Sequence, residues 1–245
     1  MSELARMLKT YKIDIALVFN STKSMEPYIE RLKKDIRKMP AEVRYTFEKE
    51  GRTVESLRIK VIDFGDYGVD GSDAIRQTRF FDTETETDQL ADAVNNIKYR
   101  GCGGVPNNGL EALYEAMTSD WIELKPNVRH IIVLVTDVPP LNLGERAGYA
   151  GYDKVGYPEN IEELGKIWNR KDGDMPELKL SPFAKRLFLF EPRCVIDGRS
   201  WDEVTKWRKV YSMPLRKGKL IDASIMDRLC TTIHMLRRIR HNIMF

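Results

Sequence analysis

Cysteine is scarce in this chain. Cys102, Cys194 and Cys230 are the only three in 245 residues, widely separated and never in a C-x-x-C spacing. An odd, scattered set suits reduced thiols in a cytosolic protein better than a disulfide framework. Long apolar runs are missing as well: none approaches the roughly 20 residues that span a bilayer. The N-terminal stretch carries Glu3, Arg6, Lys9 and Lys12 and has no apolar core, so it does not read as a secretory signal. Charge of one sign is not in excess. A formal net charge of +3 makes no general case for nucleic-acid binding. The expectation is a cytoplasmic protein with neither nucleic acid nor a membrane as its partner.

The signatures of chemistry are also lacking. The glycine-rich stretch Arg100–Asn108 (RGCGGVPNN) follows neither G-x-x-x-x-G-K-[S/T] nor G-x-G-x-x-G. It reads as a tight strand-end turn and not as a phosphate cradle. No serine stands in an elbow motif. A Cys102–His130 nucleophile pair would need the two to meet, and His130 lies at the amino end of its strand, away from Cys102. No residue set supports catalysis, so the chain is read as a non-enzyme. Internal repeats and low-complexity segments are absent.

What is present is an ordinary soluble balance, 42% apolar and 31% charged, at a length that suits one large α/β domain over residues 1–245. Lys12–Phe19 is nearly continuous in apolar residues, which predicts a central strand buried on both faces. Ser24 is placed to cap the helix that follows, predicted over Glu26–Met39 and interrupted at Pro40, with Ala41–Glu50 continuing it. Leu57–Phe64, Arg129–Thr136 and Lys185–Phe190 are further strands, Thr78–Asp82 a short edge strand, and Val210–Met213 a last short one. Helices are expected over Thr87–Ile97, after Asn108, over Pro158–Trp168, Trp201–Lys209 and Asp222–Arg240. The alternation predicts one doubly wound, mainly parallel sheet of about six strands with helices on both faces.

In such a sheet, polar loops converge at the carboxyl edge. Here they are Asn20-Ser21-Thr22-Lys23-Ser24, the Arg100–Asn108 loop, and Thr136-Asp137-Val138-Pro139-Pro140. Their spacing resembles the von Willebrand factor type A domain, whose D-x-[S/T]-x-S motif and two further loops form a metal-ion-dependent adhesion site. The second loop is similar to a bacterial GGGDxPE form and the third to a TDAPP form. Phe64-Gly65-Asp66-Tyr67 and Tyr157-Pro158 fit the same pattern. The resemblance covers nearly the whole chain. It is strongest to bacterial intracellular members linked to protein kinases and phosphatases and to tellurium-resistance-type systems. It implies a Rossmann-like fold, an antiparallel edge strand, and a protein partner in a multi-protein system, with a kinase or phosphatase as candidate.

The departures bear on the metal. Family sites hold Mg²⁺ through hard oxygens. Asn20 stands for the first Asp, Gly104 for the second-loop Asp, and Lys23 for a usual Gly; of three acidic positions only Asp137 remains. Losing two charges beside a dication weakens binding by several kcal/mol even at an effective dielectric of about 20. Two readings follow. In the preferred one, Asn20, Thr22, Ser24 and Asp137 form a degenerate site held by hydrogen bonds. In the other, Mg²⁺ still binds weakly, completed by a partner's carboxylate, with Asp66 as a replacement charge; the commoner use of such an Asp is a turn or cap. Candidate partner-binding residues are Asn20, Lys23, Asp66, Asn107, Tyr149 and Tyr152, the tyrosines lying with Tyr157 on the long Leu141–Pro158 connection. The basic end Arg237, Arg238, Arg240 and His241 reads as a solvated helix terminus, with an acidic partner as the alternative.

Overall fold

The computed structural model describes residues 10–100 and 106–215. The elements are β1 (Thr10–Asn20), α1 (Glu26–Asp35), α2 (Met39–Glu48), β2 (Thr53–Phe64), α3 (Tyr67–Asp70), β3 (Ile75–Gln77), β4 (Phe81–Asp82) and α4 (Thr87–Asn95). They continue as α5 (Gly109–Met117), β5 (Val128–Val135), α6 (Ile161–Asn169), β6 (Lys185–Glu191), α7 (Asp202–Thr205) and β7 (Val210–Pro214). One seven-stranded sheet runs in the order β3-β2-β1-β5-β6-β7, with β4 also on β2. β1, β2, β5, β6 and β7 are parallel, and β3 and β4 pair antiparallel to β2. The doubly wound α/β architecture and its antiparallel edge are therefore as the sequence predicts.

β1 is central, and its side chains divide by the two-residue period of a strand. Ile13, Ile15, Leu17 and Phe19 enter a core with Ile29 and Leu32 of α1, Val43 of α2 and Leu90 of α4. Ala16 and Val18 enter the opposite core with Leu110 and Leu113 of α5, Leu164 of α6 and Val204 of α7. Each face thus carries its own helical layer, and the strand has no solvent-facing side. Trp121, Trp168, Trp201 and Trp207 all belong to the second core.

Several boundaries differ from expectation, each for a local reason. The predicted Thr78–Asp82 strand is broken. Thr78 Oγ1 accepts the Val61 amide at 3.0 Å, so a side chain takes the ladder bond and separates β3 from β4. Pro40 starts a helix instead of interrupting one, since α2 carries it in its first turn, where the missing amide costs nothing. Ser24 does not cap: Thr22 and Met25 hold the cap positions of the first turn and of α1, without side-chain cap bonds. β2 begins at Thr53, four residues before Leu57. The α7 helix covers only Asp202–Thr205 of the expected Trp201–Lys209. The helix predicted over Asp222–Arg240, with its basic end, lies outside the described residues.

His130 is a core residue. Its Nδ1 accepts the Ser181 amide at 3.1 Å, which leaves Nε2 as the donor to the Ile122 carbonyl at 2.9 Å. Burial pushes its pKa down to about 4, so it stays neutral.

Gly109 opens α5 against Trp201. A Cβ there would lie 2.8 Å from Trp201 Cζ2, and that ring is buried with its Nε1 donating to the Val138 carbonyl at 3.0 Å. Gly109→Ala should therefore cost about 1–3 kcal/mol by overpacking. Urea unfolding of the variant beside the wild-type chain measures this; an unchanged midpoint would show that the ring has room to move.

Candidate functional site

The carboxyl ends of β1, β2 and β5 bring together the loops that the sequence singles out. Asn20 ends β1 and is fully buried. Its Oδ1 accepts from the Thr22 backbone N–H at 3.1 Å and from Asn107 Nδ2 at 3.4 Å. Its Nδ2 faces Thr136 Oγ1 and Asp137 Oδ1, both at 3.5 Å. A backbone N–H can only donate, so the oxygen of Asn20 is committed to Thr22 and the NH₂ is turned toward Asp137. Thr22 Oγ1 and Ser24 Oγ share a hydrogen bond of 3.1 Å. Asn20, Thr22, Ser24, Asn107 and Asp137 thus lie in one polar cluster. Tyr28 of α1 borders it: burial, and next the Asp137 carboxylate, raise its hydroxyl pKa.

The other candidates divide. Lys23 is exposed, paired with Glu26 at 2.8 Å and set over the Tyr99 ring at 5.2 Å. Asp66 is buried and takes the cap role. It accepts from the Gly68 N–H at 2.7 Å and binds Arg146 through both oxygens, at 2.5 and 2.7 Å. Its charge is consumed there, in the ion pair with Arg146. Tyr152 is 5% exposed and Tyr149 is 48% exposed, so of the two only Tyr149 offers a ring to a partner. The long connection is pinned by Arg146 on Asp66, by Tyr157 against Tyr67 at 2.8 Å, and by Glu145 with Arg199 at 2.9 Å. Residues 101–105, including Cys102 and Gly104, lie outside the described residues.

Two buried carboxylates that the sequence analysis passed over hold this edge together. Asp63, near the end of β2, accepts from Arg100 at 2.7 Å, from Arg76 of β3 at 3.0 Å and from Ser21 at 3.3 Å. The Arg100 backbone N–H also donates to the Ser21 carbonyl at 2.9 Å. Gly65 follows because nothing larger fits: a Cβ there would lie 2.7 Å from Arg100 Cδ. Glu111, in the first turn of α5, is fully buried under Tyr152, whose hydroxyl bonds to Oε1 at 3.2 Å. Its Oε2 meets no hydrogen-bond partner among the described residues. Burial pushes its pKa up to about 7. A signal for it exists in the sequence: Glu111 and Glu115 are the two charges in the otherwise apolar helix GLEALYEAM.

The donor set does not fit a hard dication as it is arranged. Mg²⁺ wants oxygens in octahedral array and gains most from carboxylates. Only Asp137 supplies one, and the group beside it is the NH₂ of Asn20. Among the described residues, no group of three or more His, Cys, Asp or Glu side chains is placed to hold a metal ion.

No protein-family model and no curated protein matches this sequence. Solved structures share its fold. A pilus adhesin, SpaC of Lactobacillus rhamnosus GG, superposes with a TM-score of 0.53 at 10% identity, over 92% of this chain and 30% of the adhesin. Proximal thread matrix protein 1 of the mussel byssus gives a TM-score of 0.50 at 13% identity, over 91% of this chain and 46% of that one. The chain therefore spans less than half of either. At such identities the likeness is one of fold alone. Among the described residues, no helix is long and apolar enough to cross a membrane.

Asp63→Ala would leave the Arg100 guanidinium buried and without its closest carboxylate, so a loss of about 3–5 kcal/mol is expected in denaturant unfolding. Glu111 gives a pH test. Its folded-state pKa lies above the ordinary carboxylate value, so the native state holds its proton more tightly than the unfolded chain. Its contribution is fully present below about pH 4.5 and is lost as pH rises through about 7, amounting to about 3 kcal/mol. Glu111→Gln should remove that decline; urea unfolding across this window in both proteins checks it, and parallel curves would exclude Glu111 as the source.

Proposed function

We propose that this chain is a von Willebrand A-like, non-catalytic recognition module that binds another protein through the carboxyl edge of its sheet. The observation that carries it is the orientation of Asn20. Its NH₂ faces the Thr136 hydroxyl and the Asp137 carboxylate, both at 3.5 Å, and puts a neutral donor where a carboxylate would hold a cation. The edge is left preformed and polar, with Lys23 and Tyr149 exposed beside it. Such a surface suits a protein partner, whose polar groups are oriented by fixed donors and acceptors and whose apolar groups meet an aromatic side chain. The resemblance to bacterial intracellular members supports a cytoplasmic setting in a bacterial multi-protein system, with a kinase or phosphatase as the partner class. A residual Mg²⁺-dependent mode is the competing reading, with the partner's carboxylate completing the shell.

Two measurements separate them. Calorimetric titration of the purified chain with Mg²⁺ and Mn²⁺ should show no saturable heat; clear binding abolished by Asp137→Ala would establish the metal-dependent mode. Recovery of the partner from extracts of the source organism should be equal with and without EDTA and weaker with Tyr149→Ala. Asn20→Asp supplies the converse. It places a carboxylate oxygen where the NH₂ now faces Asp137, so two like charges meet in a buried site. The variant should lose about 1–3 kcal/mol in EDTA and recover part of it on adding Mg²⁺. Recovery in the wild-type chain as well would count against the ion-free edge.

A further inference from the structure

The opposite edge of the sheet carries a second, unrelated feature. At the amino ends of β6 and β7 a cavity of about 180 Å³ is lined by Arg170, Lys171, Lys185, Arg208 and Lys209, with Asp172 as the one carboxylate and Phe183 at the side. None of those five cations forms a salt bridge among the described residues. Backbone carbonyls hold three of them in place. Lys185, 3% exposed, donates to the Trp168 carbonyl and lies 4.7 Å from the centre of the Trp168 ring. Lys209 donates to the Pro182 and Phe183 carbonyls at 2.7 and 2.9 Å. Arg170, 8% exposed, donates to the carbonyls of Ile167 at 2.9 Å and Leu180. The backbone around them is fixed too: Asn169 Oδ1 accepts the Arg208 N–H at 3.1 Å, and Lys209 adopts a left-handed φ of 63°.

Five cations gathered in one pocket with a single carboxylate, Asp172, repel one another, and the arrangement is stable only if something offsets the repulsion. Carbonyl dipoles do so in part. We propose that the pocket binds a compact oxyanion: a phosphate or sulfate dianion, or the phosphate group of a monoester. The size decides between ligand classes, since drug-sized ligands take cavities of roughly 300–1,000 Å³ and this one is smaller. The charge agrees, because the lining offers a dianion two arginines capable of forked hydrogen bonds and three lysines that act as point charges. Phe183, 62% exposed, stands ready to meet the organic part of an ester.

The electrostatic state of the empty pocket supports this. Burial, and next Arg170, Lys209 and Arg208, lower the Lys185 pKa to about 7. Burial, then Arg186, Arg208 and Arg129, lower Lys209 to about 8. Asp172, Asp174 and Glu177 act on Arg170 in the opposite sense, against its burial. An anion stabilises the charged lysines, so binding takes up protons and tightens as pH falls.

The test is an NMR titration of the full chain with sodium sulfate, against sodium chloride at equal ionic strength. Sulfate stays dianionic over the range, so the pH effect belongs to the protein. Saturable shifts should localise to the segments around Arg170, Lys185 and Lys209. Affinity should rise at least about tenfold from about pH 9 to about pH 6. Arg208 is exposed and anchored through backbone atoms, so Arg208→Glu should fold normally and weaken sulfate at least about fivefold. Lys185→Met should do the same where it folds. Inorganic phosphate and phenyl phosphate then separate the sources: equal affinity assigns free phosphate, and tighter phenyl phosphate, lost in Phe183→Ala, assigns a monoester. Linear shifts that chloride reproduces, or full sulfate affinity in Arg208→Glu, would overturn the proposal. Because this site lies across the sheet from Asn20, its failure leaves the recognition edge untouched, and the reverse holds.

Discussion

The carboxyl edge depends on one buried carboxylate. Asp63 sits beside β1 and receives Ser21 from the first loop, Arg76 from the antiparallel edge and Arg100 from the approach to the glycine-rich loop. A carboxylate buried in this way is costly unless donors meet it, and here all three converge on Oδ1. Because the donors come from three separate segments, satisfying Asp63 forces those segments into register. The positions of Asn20 and Thr22 follow, since Ser21 lies between them and its backbone N–H donates to the Phe64 carbonyl at 2.8 Å.

On that frame the polar groups of the edge bond to one another. Asn20 gives its oxygen to Thr22 and its NH₂ to Asp137, and Asp66, the other acidic residue nearby in sequence, is neutralised by Arg146. Each negative charge at the edge therefore meets a donor supplied by the chain itself. The resulting surface is held in place because the groups that would hold a cation bond to each other. Rigidity of this kind lowers the entropic cost of binding a partner.

The fold was legible where burial was total. β1, β5 and β6 read as near-continuous apolar runs because both faces of each are covered, and no other element type of that length explains the pattern. The antiparallel edge was legible as a strand but not in its break, because a single hydroxyl, that of Thr78, decides it, and hydroxyls carry no periodicity. Pro40 was misplaced for a related reason: the residue that breaks a helix interior also begins one, and only the turn at residues 36–38 tells which. Of the site, the approach of Asn20, Thr22, Ser24, Asn107 and Asp137 followed from the rule that strand ends converge. Asp63 and Glu111 did not, since an acidic residue in an apolar element is recognised as buried only once its neighbours are known. The burial of Tyr152 was hidden in the same way, because its partner Glu111 belongs to another element.

The two edges of the sheet solve opposite electrostatic problems. At the carboxyl edge, acids are buried and matched by donors from Arg76, Arg100, Arg146 and Asn20. At the amino edge, Arg170, Lys185 and Lys209 are held by carbonyl oxygens, with Asp172 as the one carboxylate of their pocket. A carbonyl offers a partial charge where a carboxylate offers a full one, so the acids of the first set are better matched than the bases of the second. The distinction has a consequence for binding. Acids matched by full charges gain little from a small ion, whereas bases held by partial charges gain most from the small ion that completes them. The proposed recognition edge and oxyanion pocket can therefore coexist in one domain, because the buried apolar sheet between them separates two different kinds of electrostatic demand.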